Sequence, residues 1–255
     1  MARVVNNGEK SEYRCEVWER MQTYSNVRKT LRFPTAEKRA IDAMAESIKE
    51  HISGCSKITS IIKLKEFFPD EPNVVLAVIA EEILEKAGLG KQYTKGNEVV
   101  PKYSTLDERY AETPANPSSV GSWTGEPGES TFVSTDERVA DTLKEVGVDG
   151  IEYKNGMPDF SQFVIEEFKI DKMTEDRAKN FAQANKKLAE KLTKETGEKW
   201  TAKRVANWIK ENNYTWHELN DCETIQLVPS EINHPIFQHL GGCGEYKIML
   251  GNGGN

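Results

Sequence analysis

The chain has no apolar run near the roughly 20 residues that a bilayer-crossing helix needs; its longest, Val74 to Ile79, is short and bounded by acids. That excludes a helical membrane span. The opening MARVVNNGEKSEYR lacks the apolar stretch of a secretory signal, so export by a signal peptide is not expected. Cysteine is scarce, and Cys15, Cys55, Cys222 and Cys243 lie far apart. No disulfide scaffold is written there, and reduced thiols are the simplest reading, with a Cys222–Cys243 pairing left open. Basic residues are in deficit: the net charge is -7 over 255 residues. Phosphate neutralisation by the chain as a whole is therefore excluded. Histidine is the fourth scarcity, with four in all.

What is present is a well-charged chain, 29% Asp, Glu, Lys and Arg and 37% apolar, with a mean hydropathy of -0.64. A soluble globular protein is expected. The acidic excess is uneven: Lys169 to Lys210 holds 12 Lys and Arg against 6 Asp and Glu, a local +6. Residues 1–100 read as a mainly helical domain of unreadable role. Ile41, Met44, Ile48 and Ile52 mark one face of a helix over Thr35 to Ile52, and a second runs from Asn73 to Ala87 to a stop at Gly88-Leu89-Gly90. His51, alone at a helix end, reads as structural or solvated. Residues 101–255 read as an α+β domain. Its start, from Thr113 to Ser130, is rich in Pro, Gly and Ser and suits a linker, although Trp123 argues that part of it packs.

Then come a strand over Ser130 to Ser134, a helix over Thr135 to Val146 and a hairpin turn at Asn155-Gly156. A strand from Phe163 to Ile170 leads to a long helix from Thr174 to Thr193, with Thr174 as cap and Phe181, Ala184 and Leu188 on its buried face. Asp159 reads as a turn cap. A last helix, Thr201 to Glu211, precedes the segment YTWHELNDCETIQLVPSEINHPIFQHLGG, Tyr214 to Gly242, which holds three of the four histidines. Tyr214 to His217 and Thr224 to Val228 suit two strands of a hairpin, and Pro235 suits the first turn of a helix that His234 and His239 flank.

These residues resemble the HNH/endonuclease VII superfamily, and within it the nuclease toxin domains with a Trp-His-His motif, related to colicin-type DNases. The resemblance rests on Tyr214 to His217, Ile225 to Pro229 and His239 to Gly242, with support from Lys154 to Phe160 and from Arg177, Asn180, Phe181, Ala184 and Asn185. It covers about the C-terminal half. It implies a ββα-metal nuclease fold and a metal-dependent endonuclease hydrolysing phosphodiester bonds, with DNA favoured over RNA. His217 would be base or metal ligand, with His234 and His239 as further ligands of a divalent ion, Mg, Mn, Ni or Zn. Glu218 replaces the second histidine of the motif, which leaves open which of His217 and Glu218 is the base. His234 and His239 are five apart rather than four, and Asn233 is the substitute ligand. Arg177 would hold the phosphate, with Lys186 and Lys187 as weaker candidates. A toxin of a bacterial competition system would leave its cell by a dedicated secretion system, act in a target cytoplasm and need an immunity protein, expected to be acidic.

Two other readings stand beside this one. Cys222, His234, His239 and Cys243 have the ligand types of a structural zinc module, without a close Cys-x-x-Cys pair. Alternatively, the histidines serve only a small core and the chain acts through protein contacts.

Overall fold

The computed structural model describes residues 56–67, 73–145 and 147–252. The expected helix over Thr35 to Ile52, His51, Cys15 and Cys55 lie outside them. The chain forms two compact units, Met1–Lys91 with Asp141–Val148, and Gln92–Ala140 with Asp149–Asn255.

In the first unit, α1 (Lys57–Phe67) packs on α2 (Asn73–Lys86). Ile58, Ile61 and Leu64 recur every three residues and are fully buried, as are Leu76, Ala80 and Ile83 on α2. Burial extends beyond one stripe, since Lys57, Thr59 and Ser60 are buried as well and close the first turn of α1 on every side. Gly88, at φ 70, ends α2 as expected, and Leu89 N–H returns to the Leu84 carbonyl at 2.7 Å.

The second unit carries two antiparallel sheets. After α3 (Leu106–Ala111), strands β1 (Gly121–Trp123), β2 (Thr131–Ser134), β3 (Ile151–Lys154) and β4 (Met157–Pro158) form a meander in chain order; α4 (Glu137–Glu145), between β2 and β3 in the chain, is divided between the two units at Asp141. The β3–β4 turn is the expected Asn155-Gly156. Both residues have positive φ, 54 and 74, the pairing that matches strand twist in a two-residue hairpin. The Pro/Gly/Ser-rich stretch is not a tether. It supplies β1, and Trp123, half-buried, sets its ring 5.0 Å from both Phe132 and Tyr153, an aromatic cluster that packs this part of the stretch while most of its other residues stay exposed.

The second sheet comprises β5 (Glu166–Lys169), β6 (Tyr214–Glu218) and β7 (Thr224–Pro229) in the order β5-β7-β6. β7 is central, paired along both edges by β5 and β6, and its alternation of Thr224, Ile225, Gln226 and Leu227 becomes uniform burial. α5 (Arg177–Thr196) and α6 (Ala202–Glu211) lie between β5 and β6 in the chain, and α7 (Gly242–Asn252) follows β7. α5 starts three residues later than the sequence pattern suggests. Asp176, not Thr174, accepts from Ala178 N and Lys179 N, while Thr174 Oγ1 bonds the Asp176 carbonyl and the Asn180 amide oxygen. Ala184 and Leu188 are buried as expected, joined by Asn180 and Leu192, while Phe181 is half-buried.

The other difference concerns His234 and His239. No helix begins at Pro235: residues 230–241 run as successive turns, and α7 starts only at Gly242. The buried residues explain this. Ile232, Phe237 and Leu240 point inward at spacings of five and three, which turns can satisfy and one helical stripe cannot.

Candidate active site

β6 presents Trp216 and Glu218 toward α5 and His217 to the opposite side, as strand alternation requires. Trp216 Nε1 donates to Asn185 Oδ1 at 2.9 Å, and Asn180 Nδ2 donates to Glu218 Oε1 at 2.7 Å. His217 instead meets the rings of Phe160 and His239, with centroids 4.7 and 4.9 Å away. Because Glu218 is the last residue of the strand, both side chains reach one cleft of about 890 Å³, whose walls also include Arg177, His234, His239 and Lys247.

Two glycines let the chain close on this strand. A Cβ at Gly242 would lie 2.5 Å from the Leu219 carbonyl, and one at Gly241 would lie 3.0 Å from that of Glu218. The His-x-Gly-Gly pattern is thus a close-approach motif that presses His239 onto His217. His239 Nδ1 lies 2.7 Å from the Phe237 carbonyl. A carbonyl only accepts, so Nδ1 carries the proton and Nε2 keeps its lone pair.

Burial lowers the pKa of both histidines: His217 falls well below its usual value and His239 to about 4, with the Arg177 cation opposing protonation of each. Both are neutral imidazoles at neutral pH. The Asn233 side chain acts in the opposite sense and favours the protonated form of His217. For Glu218, burial raises the pKa; Asn180, Arg177, the Cys243 N–H and Lys247 partly offset that rise. The Arg177 guanidinium lies 3.5 Å from Glu218 Oε2, yet its side chain remains 59% exposed.

The sequence candidates are therefore mostly brought together: His217, Glu218, Arg177 and His239 share one cleft. His234 also lines it, but its Nδ1 accepts from Ile236 N–H at 3.2 Å, so the bare nitrogen is already used. Among the described residues no group of three His, Cys, Asp or Glu side chains is arranged to hold a metal ion. The zinc-module reading fails on geometry: Cys222 donates to the Gly242 carbonyl and Cys243 to that of Glu175, both as unpaired thiols. Burial pushes the Cys222 thiol up to about 12. Lys186 lines neither the cleft nor the hollow beside it, and Lys187 is paired with Asp171 at 2.8 Å. Asp159 Oδ1 accepts from Ser161 N–H, a turn cap as expected.

Sequence reasoning undervalued Phe160, Asn180 and Lys247. The first two sit inside segments that carry the family resemblance, so a signal existed; Lys247 lies in a helix without any pattern pointing to it.

No curated protein and no solved structure matches the chain. Its family match falls on the cleft: residues 150–241, from the start of β3 to the first glycine after His239, match the family model of the DNase/tRNase domain of colicin-like bacteriocin.

Proposed function

We propose that the chain is a metal-dependent endonuclease of the ββα-metal type that cuts DNA in preference to RNA and serves as the toxin of a bacterial competition system. The observation that carries this reading is the contact of two neutral imidazoles, His217 and His239, on a cleft wall beside the Glu218–Arg177 pair. Neutral imidazole is the form that binds metal. The β6–β7 hairpin followed by α7 supplies the ββα order.

His217 and His239, with the Asn233 amide as a third donor in place of His234, would hold a divalent cation, whose charge would stabilise the phosphoryl and leaving oxygens of the scissile group. Glu218 takes the proton of the attacking water. Its raised pKa brings it closer to neutrality, where a carboxylate is a more effective base. Asn180 fixes the direction of that carboxylate. Arg177, ion-paired yet exposed, turns its free N–H groups to the phosphate, and Lys247 adds a second positive charge at the rim.

The preference for DNA rests on the resemblance to colicin-type DNases, because hydrolysis at phosphate is indifferent to the base. The toxin role and an acidic immunity protein follow from the same resemblance, as does release through a dedicated secretion system with action in a target cytoplasm. Purified full chain incubated with plasmid DNA or total RNA, in Mg, Mn, Ni, Zn or EDTA, beside His217→Ala, tests the core of the proposal. Metal-dependent cutting lost in the variant supports it; equal inertness of two folded proteins with every metal overturns it.

A further inference from the structure

A second hollow, of about 380 Å³, opens between α5, α6 and β6. We infer that it is a subsite for one unpaired base of the strand being cut, which rests on the nuclease reading of the adjoining cleft. Phe181, Thr215 and Ser230 line both spaces, so a strand whose phosphate lies at Arg177 can turn an adjacent nucleotide into the hollow without leaving the surface.

Three features fit a base rather than an apolar side chain. The volume lies at the lower end of the roughly 300–1,000 Å³ range of small-ligand sites. Phe181, half-buried, supplies an aromatic wall, and the Arg177 guanidinium stands 5.6 Å from its ring centre, which ties the stacking surface to the phosphate site. Asn185 spends its amide oxygen on Trp216 Nε1 at 2.9 Å, which fixes the side chain and leaves Nδ2 as a donor toward a base edge.

Charge points the same way. Of the basic residues on α5 and α6, Lys179, Lys187, Lys191 and Arg204 are held by carboxylates. Lys210 borders the hollow, is exposed and has no ion pair among the described residues. It stands where the phosphate beyond the inserted base would run. A base within a duplex is paired and stacked and cannot enter, so the site selects single-stranded or locally opened nucleic acid.

The test is binding of a short fluorescent single-stranded DNA to the full chain in EDTA, and of the same strand in a duplex. Ala206 lines the hollow from an exposed position on α6, so Ala206→Trp fills it while sparing the core. The expected result is a Kd for the single strand raised about five- to a hundredfold, the range of one lost stacked base, with duplex binding unchanged and, in cutting assays, KM raised at constant kcat. If Ala206→Trp lowers the melting temperature, Lys210→Glu carries the same test. Equal single-strand Kd for wild type and the folded variant overturns the subsite. If His217→Ala abolishes cutting while Ala206→Trp binds normally, the subsite alone is wrong; if Ala206→Trp weakens binding but the folded wild type is inert with every metal, only the nuclease reading falls.

Discussion

Asn180, fully buried on α5, donates to Glu218 Oε1 across 2.7 Å, while its own amide oxygen accepts from Thr174 N at 2.9 Å. The second bond fixes the amide's orientation, so the first aims the carboxylate. Asn180→Ala removes both. Loss of a hydrogen bond to a charged group is expected to lower kcat/KM about 10- to 100-fold. Without that donor the Glu218 pKa rises further, so the acid limb of the pH–rate profile shifts to higher pH. A profile that keeps its midpoint would separate Asn180 from Glu218.

Alanine at His217 or His239 should reduce cutting by about 100- to 10,000-fold, the usual range for an essential proton-transfer or ligand group. Asn233→Ala is expected to reduce activity more than His234→Ala, since Asn233 lines the cleft and acts on His217 whereas His234 spends its Nδ1 on Ile236. Metal titration of the four variants checks the ranking. A larger loss at His234 than at Asn233 would restore His234 as the third ligand.

His239 predicts acid sensitivity of the fold. Its pKa is about 4 when folded against 6.5 for the exposed group, so below about 6.5 the unfolded chain takes up a proton that the native chain refuses. Its stabilising contribution is full above that pH and lost as pH falls toward about 4, on the order of 3 kcal/mol across that window. His217 shifts in the same direction and adds to it. Denaturant melts at pH 7, 5.5 and 4.5 measure the slope, which His239→Gln should flatten.

Gly242→Ala forces a methyl to within 2.5 Å of a backbone carbonyl, where no flexible atom can yield. A loss of about 1–3 kcal/mol is expected, together with weakened cutting as His239 moves off His217. Gly197→Ala should behave differently. Its Cβ meets nothing within 4 Å, so only the strain of φ 72 is felt, and activity should persist.

Cys222 is one of three non-glycine residues at positive φ among the described residues, at 59. Cys222→Gly is expected to hold or raise the melting temperature, by an amount consistent with relief of about 1–2 kcal/mol of left-handed strain. Activity should be unchanged. Unfolding of this variant, or of Cys243→Ala, would revive a structural role for the thiols as ligands.

The hairpin, its neighbour strand and α2, α4, α5 and α6 were legible because each is a local signal: the aromatic and β-branched run from Tyr214, the alternation of Thr224 to Val228, Asn155-Gly156 and the stop at Gly88; α1, α3 and α7 are not among the expected helices. The cap of α5 was misread because Thr174 and Asp176 both suit the position, and only Asn180's demand for Thr174 decides between them. The turns after Pro229 were misread because Pro235 suits a helix start, while the burial of Ile232, Phe237 and Leu240 depends on a sheet whose strands come from elsewhere in the chain. Asn180 and Phe160 reach the site from segments far upstream, a convergence that spacing cannot reveal.

Glu245 on α7 is wholly buried and accepts from Tyr103 N and Ser104 N, both at 2.7 Å, and from Ser104 Oγ and the Asn220 amide. One carboxylate therefore joins the segment before α3, the tip of the β6–β7 hairpin and the last helix. A recombinant fragment cut to residues 150–241, the bounds of the family match, would drop Glu245 together with two of its three anchors. Such a fragment would leave Asn220 without its acidic partner at the hairpin tip. The smallest piece able to hold the hairpin in place must begin before Tyr103 and extend through α7, so the recognisable sequence motif is shorter than the unit that keeps it in shape.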